Sequence, residues 1–321
     1  KNTLMFSTGL LNNHFEISGR LSKITSDGYI DRASSDLNSY FLQGAYQDKS
    51  TLIKGIIFGG HEITYQSWFG VDANTLSSNR RYNPAGEIYD NAGNLQGHYD
   101  NQVDDYTQDH YQFHWNQKLN TYTSFSLGLN YTYGRGFYEE YKDLWFEQNI
   151  NFSNENNFSY LGLTPYNIGD TMIDKTENII KKWLDNHFYV TTFSLNSQKS
   201  NTELDFGAMF SNYIGDHFGE LIFAEYALGG MPRDRFYENQ GKKIEGNVYA
   251  KINHQINNRF SGYLDLQYRS IRYTADGNLK GPSLISVNED YGFFNPKAGI
   301  VFSLNPKNKF YISYARANRE P

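Results

Sequence analysis

Residues 109–136 contain two long runs in which apolar and polar side chains alternate. In the first run, Tyr111, Phe113 and Trp115 alternate with Gln, His and Asn, and in the second, residues 126–133, Leu and Tyr alternate with Ser, Gly, Asn and Thr. A period of two indicates strands with one apolar and one polar face. The short Asn120-Thr121 connection permits only an antiparallel hairpin. The strands predicted from these runs, 109–119 and 122–136, have the roughly ten residues that crossing a bilayer at a tilt requires, whereas strands of soluble proteins usually have about five or six.

The same pattern recurs along the chain and predicts twelve strands. Their predicted ranges are 4–11, 15–26, 40–48, 51–61, 109–119, 122–136, 185–198, 202–214, 243–256, 259–274, 295–303 and 309–317.

Short and long connections alternate between these strands. The short ones are rich in Asn, Ser and Lys, which favour turns: Asn12-Asn13, Lys49-Ser50, Asn120-Thr121, Lys199-Asn201, Asn257-Asn258 and Asn305–Asn308. The long ones are polar and cover residues 27–39, 62–108, 137–184, 215–242 and 275–294. Transmembrane barrels typically have short turns at one rim and long loops at the other. The sequence therefore predicts an all-β, antiparallel up-and-down transmembrane β-barrel.

An aromatic residue comes within two positions after four of the short turns. These residues are Phe15, Tyr122, Phe260 and Phe310. Rings at one depth are expected of an interfacial aromatic girdle. The alternative is that they clamp hairpin ends in a soluble protein.

Alternation also assigns side chains to the two faces of the barrel wall. We expect Leu127, Leu129, Leu264 and Leu266 to point outward from the sheet. The polar residues between or beside them are expected to point inward: Asn130, Asp265 and Gln267.

Composition narrows the class of protein further. Aromatic residues make up 17% of the 321 residues, the mean hydropathy is −0.67, and no apolar run approaches the length of a transmembrane helix. A net charge of −6 without a Lys/Arg tract argues against nucleic acid as a partner. No motif of a catalytic nucleophile, metalloprotease or phosphate-binding loop is present, so no enzymatic activity is expected.

Two loop features are candidate binding sites. Asp100, Asp104 and Asp105 form an oxygen-rich cluster that could hold calcium, although a solvated acidic loop is the simpler interpretation. Arginine beside aromatic residues could grip an anionic chelate or stack on a planar ligand. The residues of this second kind are Trp68, Arg80, Arg81, Tyr82, Arg233 and Arg235. Loop–loop or lipopolysaccharide contacts are the alternative for them. Tyr138, where a strand leaves the membrane, is expected to anchor it at the interface.

Several stretches resemble the barrel of TonB-dependent outer-membrane receptors of the Bacteroidetes type. The matching stretches are residues 26–37, 62–71, 82–87, 100–117, 133–142, 181–189, 215–220, 293–300 and 314–321. The resemblance implies a 22-stranded barrel closed by an N-terminal plug, of which residues 1–321 would be a partial barrel domain. It also implies the outer membrane of a Gram-negative bacterium, with its lipid and lipopolysaccharide, as the location.

The function implied by the resemblance is uptake of a scarce, bulky ligand. The TonB complex would act through an N-terminal part that this chain lacks. The expected ligand is a ferric siderophore or related iron chelate, with cobalamin, haem or a glycan as alternatives. A passive porin-like channel and a soluble all-β carbohydrate-binding or hydrolytic domain are further alternatives.

Overall fold

Twelve long strands form one antiparallel sheet in which each strand pairs with its neighbours along the chain. The structure is a computed structural model, and it describes residues 1–228, 232–279 and 283–320. The elements are β1 (Asn2–Ser7), β2 (Phe15–Ser26), β3 (Ser35–Gln47), β4 (Thr51–Tyr65), α1 (Ala73–Ser78), β5 (Glu87–Tyr89), β6 (Leu95–His98), β7 (Val103–Lys118), β8 (Thr123–Lys142), α2 (Leu144–Asn149), α3 (Phe158–Leu161), β9 (Tyr166–Ile168), β10 (Thr171–Ile173), β11 (Asn178–Lys199), β12 (Thr202–Ala224), β13 (Asp234–Gln255), β14 (Phe260–Leu279), β15 (Ser283–Asn305) and β16 (Asn308–Ala315).

The sheet has the predicted up-and-down topology. Its strand order is β1-β2-β3-β4-β7-β8-β11-β12-β13-β14-β15-β16, so β1 and β16 are open edges in the described residues. The pairs β5–β6 and β9–β10 are separate two-stranded sheets in the connections. None of the described helices is long and apolar enough to cross a membrane.

The six short turns are confirmed, and short polar side chains explain four of them. The Oδ1 atoms of Asp48, Asn257 and Asn305 each accept hydrogen bonds from two backbone N–H groups that follow in the turn, and Asn120 Oδ1 accepts one. Such side chains replace the backbone partners that a tight turn removes. In the first turn, Asn12 and Asn13 adopt positive φ values of 48° and 60°, a region that Asn tolerates better than most residues.

The strands extend further than predicted at the rim that carries the long connections. Residues 215–224 continue β12 and residues 234–242 begin β13, so only residues 225–233 connect them. The predicted connection at 275–294 is wrong in the same way, because β14 and β15 pair through most of it. Glycines, charged residues and consecutive apolar residues interrupt the alternation in these extensions, which is why the sequence marked them as loops.

The two faces of the sheet divide as predicted. Backbone pairing places Leu127 beside Phe193, and Leu264 and Leu266 beside Ile252 and Ala250, on one face that we call the apolar face. Asn130, Asp265 and Gln267 lie on the opposite, polar face, as alternation requires. No described helix or second sheet packs against the middle of the apolar face, so its side chains remain exposed or half-exposed.

Aromatic residues border the apolar face at two levels. Near the short turns, Phe15, Tyr122, Phe260 and Phe310 are all exposed by 40% or more, and Phe260 contacts Phe302 at a ring distance of 4.8 Å. At the upper level, stacked rings continue across neighbouring strands: Tyr111, Tyr131 and Tyr189. Phe125 and Tyr133 on β8 are eight residues apart, which is about 27 Å along a strand. At a tilt of about 40° this corresponds to roughly 21 Å, close to the apolar band of membrane barrels.

Candidate functional site at the loop-bearing rim

Asn83 joins two of the long connections. Its side chain is only 2% exposed, and its Nδ2 donates to the backbone oxygens of Asp31 and Gln66, each at 2.9 Å. Its Oδ1 accepts from the Ala85 N–H at 3.1 Å. Arg32 completes the junction by donating to the backbone oxygens of Asn83 and Ala85. These hydrogen bonds join residues 27–34 to residues 66–102. Breaking them would leave the buried amide of Asn83 without partners, which is unfavourable by the full desolvation free energy of that group.

Hydrogen bonds attach both ends of the 66–102 connection to the sheet. The Tyr65 hydroxyl lies 3.0 Å from Ala85 O and 2.9 Å from Tyr99 O. Gly86, at φ +77°, lets the backbone pass directly under that hydroxyl. The buried Gln66 side chain donates to the backbone oxygen of Glu139 on β8 at 3.1 Å. The connection therefore begins and ends on fixed strand ends.

The 66–102 connection also contacts the 143–177 connection. The Tyr89 N–H donates to Asp143 Oδ2 at 2.8 Å, and the rings of Tyr89 and Trp145 lie 4.6 Å apart. Behind this contact, the buried Glu87 carboxylate accepts from the hydroxyls of Tyr82 and Tyr89 at 3.0 and 2.7 Å. Burial, together with this carboxylate, raises the pKa of Tyr82 to about 12.

Five charged residues, four of them buried and the fifth largely buried, fix the 143–177 connection to β8 and β11. Glu155 lies 2.7 Å from both Lys142 Nζ and Lys182 Nζ. Glu140 pairs with the same two lysines at 3.2 and 3.3 Å, and Glu147 lies 3.7 Å from Lys142. Burial alone would raise the pKa of Glu155, but the two ammonium groups outweigh it and hold that pKa at about 2. Glu155 is therefore ionised at neutral pH.

An apolar core next to this cluster continues the junction to β12 and β13. Leu161 from α3 packs with Ile180, Leu221 and Phe236. The Glu225 N–H donates to Glu177 O at 3.0 Å, and the Tyr226 N–H donates to Thr176 Oγ1 at 2.9 Å. We call residues 27–34, 66–102, 143–177 and 225–228, together with these strand ends, the loop block.

The structure places the first group of predicted ligand residues within the loop block. Trp68 is 54% exposed and makes an edge contact with Tyr138 at 5.8 Å. Arg80 is exposed, and no ion pair holds it among the described residues, whereas Arg81 is paired with Asp31 at 3.1 Å. Tyr82 is engaged with Glu87. Of these four residues, Trp68 and Arg80 are free to meet a ligand.

The remaining predicted residues lie elsewhere. Arg235 sits 3.8 Å from the centre of the Phe218 ring and 2.6 Å from Glu238, on the continuation of the apolar face. Arg233, at φ +74°, is exposed beside β12. Tyr138 is on the polar face, where Lys182 Nζ lies 5.2 Å from its ring. The expectation that Tyr138 anchors the strand at the membrane interface is wrong, because strand alternation turns Phe137 outward instead.

The predicted calcium ligands are not brought together. Asp104 and Asp105 are successive residues of β7, so their side chains leave opposite faces of the sheet. Asp105 is 2.7 Å from His61, and Asp100 is an exposed turn residue. Among residues 1–228, 232–279 and 283–320, no group of three His, Asp or Glu side chains is placed to hold a metal ion.

Sequence reasoning missed the residues that build the loop block, chiefly Asn83, Lys142, Lys182 and Glu155. The available signal was the pair of charged segments at 139–142 and 181–182. They place acidic and basic residues at the adjacent ends of two neighbouring strands.

Comparison with known proteins identifies the family. The family model "TonB dependent receptor-like, beta-barrel" matches residues 17–321. This chain belongs to the TonB-dependent receptor β-barrel family. No curated protein sequence matches it significantly.

Solved receptors share the fold of this TonB-dependent receptor chain. The ferric-catecholate import receptor Fiu from E. coli K12 (open form) covers 99% of this chain with a TM-score of 0.60 at 13% identity. The ferric citrate transporter FecA covers 97% with a TM-score of 0.64 at 10% identity, and the siderophore receptor PiuA from Acinetobacter baumannii covers 98% with a TM-score of 0.61 at 12% identity. This chain spans 54%, 40% and 46% of those three chains, so about half their length.

Family membership assigns each face of the sheet to lipid or lumen, and each rim to the external or periplasmic side. The receptor lies in the outer membrane of a Gram-negative bacterium. The apolar face is therefore the lipid-facing side, and the polar face is the lumenal side. The loop block stands at the external rim, since the longer connections of such barrels are extracellular and the short turns are periplasmic.

Proposed function

We propose that this chain is part of the barrel of a receptor that imports a ferric siderophore or a related iron chelate with energy from the TonB system. The observation that carries the proposal is the twelve-stranded sheet with elaborated external connections, which matches receptors described as importing iron chelates over nearly its whole length. Identities of 10–13% convey the fold, so the ligand is proposed by analogy.

The proposal includes a larger barrel than the twelve strands present. The open edges of β1 and β16 leave unpaired backbone groups, which cannot remain exposed to lipid. Additional strands that pair with both edges would close the wall. The lumen would then need a plug to prevent passive flow, and we propose that TonB acts on the part of the protein that carries this plug.

Uptake of radioactive iron by cells that produce the full-length receptor tests the function. Ferric chelates are offered to cells with an energised inner membrane, to cells treated with a protonophore, and to cells that lack TonB. We expect uptake only in the first case. Uptake that persists in all three would show a passive channel instead. Uptake of cobalamin, haem or a glycan without any ferric chelate would move the receptor to another ligand class.

A further inference from the structure

The external connections of this receptor are strongly acidic. Residues 27–34, 66–102, 143–177, 225–233 and 280–282 contain thirteen Asp and Glu residues against six Lys and Arg residues, a net charge of −7. The whole chain carries −6, so the strands, turns and termini together carry +1. Adding the buried Lys142, Lys182 and Glu140 of the charge cluster to the external count leaves −6. The excess negative charge of the chain is therefore confined to the rim where a ligand arrives.

Part of this charge is freely exposed. Asp170 and Asp174 are exposed at the β9–β10 hairpin, and no hydrogen bond or ion pair engages their side chains in the described residues. Asp100 and Glu225 are exposed as well. Because the loop block is fixed by buried contacts, these carboxylates cannot easily move aside when a ligand approaches.

The cations at the same rim fall into two groups. Arg80, Lys175 and Arg233 are exposed, whereas the following cations are engaged. Arg81 forms an ion pair with Asp31, and the Arg32 guanidinium donates to the backbone oxygen of Asn83. Lys142 and Lys182 are buried between carboxylates. Arg235 points toward the lipid side, so it is not available to a ligand in the lumen. The net charge of the external connections nevertheless stays negative, unlike that of a site built to hold an anion, where exposed cations converge.

One exposed aromatic side chain supplies a contact that needs no negative charge on the ligand. Trp68 is held edge-on against Tyr138 on the lumenal side, with more than half of its surface exposed. An indole face attracts apolar groups and cations. An uncharged or cationic chelate can use this surface, whereas a polyanionic one gains little from it.

From the net negative charge of the external rim and the exposed Trp68, we infer that the receptor selects ferric chelates that are uncharged or positively charged, such as trishydroxamate complexes, over polyanionic triscatecholate or citrate complexes. The inference rests on the proposed function. Its physical basis is the field of the fixed carboxylates, which lowers the local concentration of anions and raises that of cations at the entrance.

Competition uptake with the full-length receptor tests this selectivity. Cells receive a radioactive cationic ferric trishydroxamate together with either an unlabelled uncharged trishydroxamate or an unlabelled anionic triscatecholate complex. We expect the uncharged complex to compete and the anionic one to compete at least tenfold more weakly. Raising the ionic strength should narrow this difference, because salt screens the exposed carboxylates.

The double substitution Asp170→Asn/Asp174→Asn tests the origin of the selectivity, and Glu16→Gln/Glu203→Gln removes two charges beside the short turns as a matched control. We expect the first variant to improve binding of the anionic complex about threefold at physiological ionic strength and roughly tenfold at 0.01 M salt, and the control to leave it unchanged. Preferred uptake of the anionic complex by the unmodified receptor would overturn the inference and leave the proposed function intact. A lack of uptake of every ferric chelate would overturn both.

Discussion

Lys182, on the lumenal side of β11, lies 2.7 Å from Glu155 in the connection that follows β8. The contact joins two segments that are 27 residues apart, and both side chains are largely buried. It shows how the external connections of this receptor are built. Charged side chains that the sequence suggests are exposed to solvent are instead largely buried, and their ion pairs attach a loop to the barrel wall.

Replacing Lys182 should release the 143–177 connection. In Lys182→Met, Glu140 and Glu155 share only Lys142, and removal of one partner from a buried charge cluster typically costs about 3–5 kcal/mol. We expect the free energy of local opening to fall by about 3 kcal/mol, measured by native-state proteolysis within residues 143–177. Lys175→Met, at an exposed position of the same connection that no ion pair engages among the described residues, should cost about 1 kcal/mol or less. Equal effects of the two substitutions would contradict the assigned role of the cluster.

The attachment should weaken only in strong acid. The pKa of Glu155 is lowered from 4.5 to about 2 in the folded protein, so the folded state is stabilised relative to the open state at pH values above 4.5. This stabilisation is lost as the pH falls from 4.5 toward 2. A spin label at Phe152→Cys, a position that is 80% exposed in a chain without cysteine, should report no loosening from pH 7 to 5 and increasing mobility below 4.5. In a Glu155→Gln background, the label should be mobile throughout and lose this pH dependence. Loosening that begins near pH 6 would assign the change to another group.

Uptake should tolerate a covalent lock within the loop block. The Glu225 N–H bonds to Glu177 O at 3.0 Å, next to the paired residues Asn178 and Ala224, which places positions 177 and 225 side by side. We expect Glu177→Cys/Glu225→Cys to form a disulfide and to leave uptake within about twofold of the reduced form, because these segments are already joined in the structure. Iron uptake before and after reduction gives the answer, with each single-cysteine variant as control. Loss of uptake on oxidation would mean that the block opens during transport.

The two faces of the wall should respond oppositely to a new charge. An arginine at a lipid-facing position near mid-membrane costs about 2–4 kcal/mol, whereas lumenal positions tolerate it. Leu266→Arg should therefore lower the unfolding free energy of the full-length barrel in lipid by about that amount, and Gln267→Arg should change it by less than about 1 kcal/mol. Denaturant unfolding in liposomes measures both. A larger loss for Gln267→Arg would reverse the assignment of the faces.

The amino-acid sequence by itself determined the sheet and its turns. Alternation with a period of two depends only on neighbouring residues, and it correctly separated Leu264 and Leu266 from Asp265 and Gln267. The six short turns were equally local, since Asn and Asp bond to backbone groups two or three residues away. These features sufficed for the strand number, the strand order and the family resemblance.

Only the tertiary structure decided how the external rim is built. Arg235 looked suited to ligand binding, yet it lies on the apolar face. Tyr138 looked suited to membrane anchoring, yet it lies on the polar face. The faces of both residues could not be assigned from the sequence, because the strands continue past the residues in which alternation is visible. Asn83 and Glu155 looked like ordinary loop residues, yet the partners that join them to other segments are 17 to 52 and 13 to 27 residues away. Contacts of this kind depend on which connections stand side by side above the sheet, and no local pattern in the sequence carries that information.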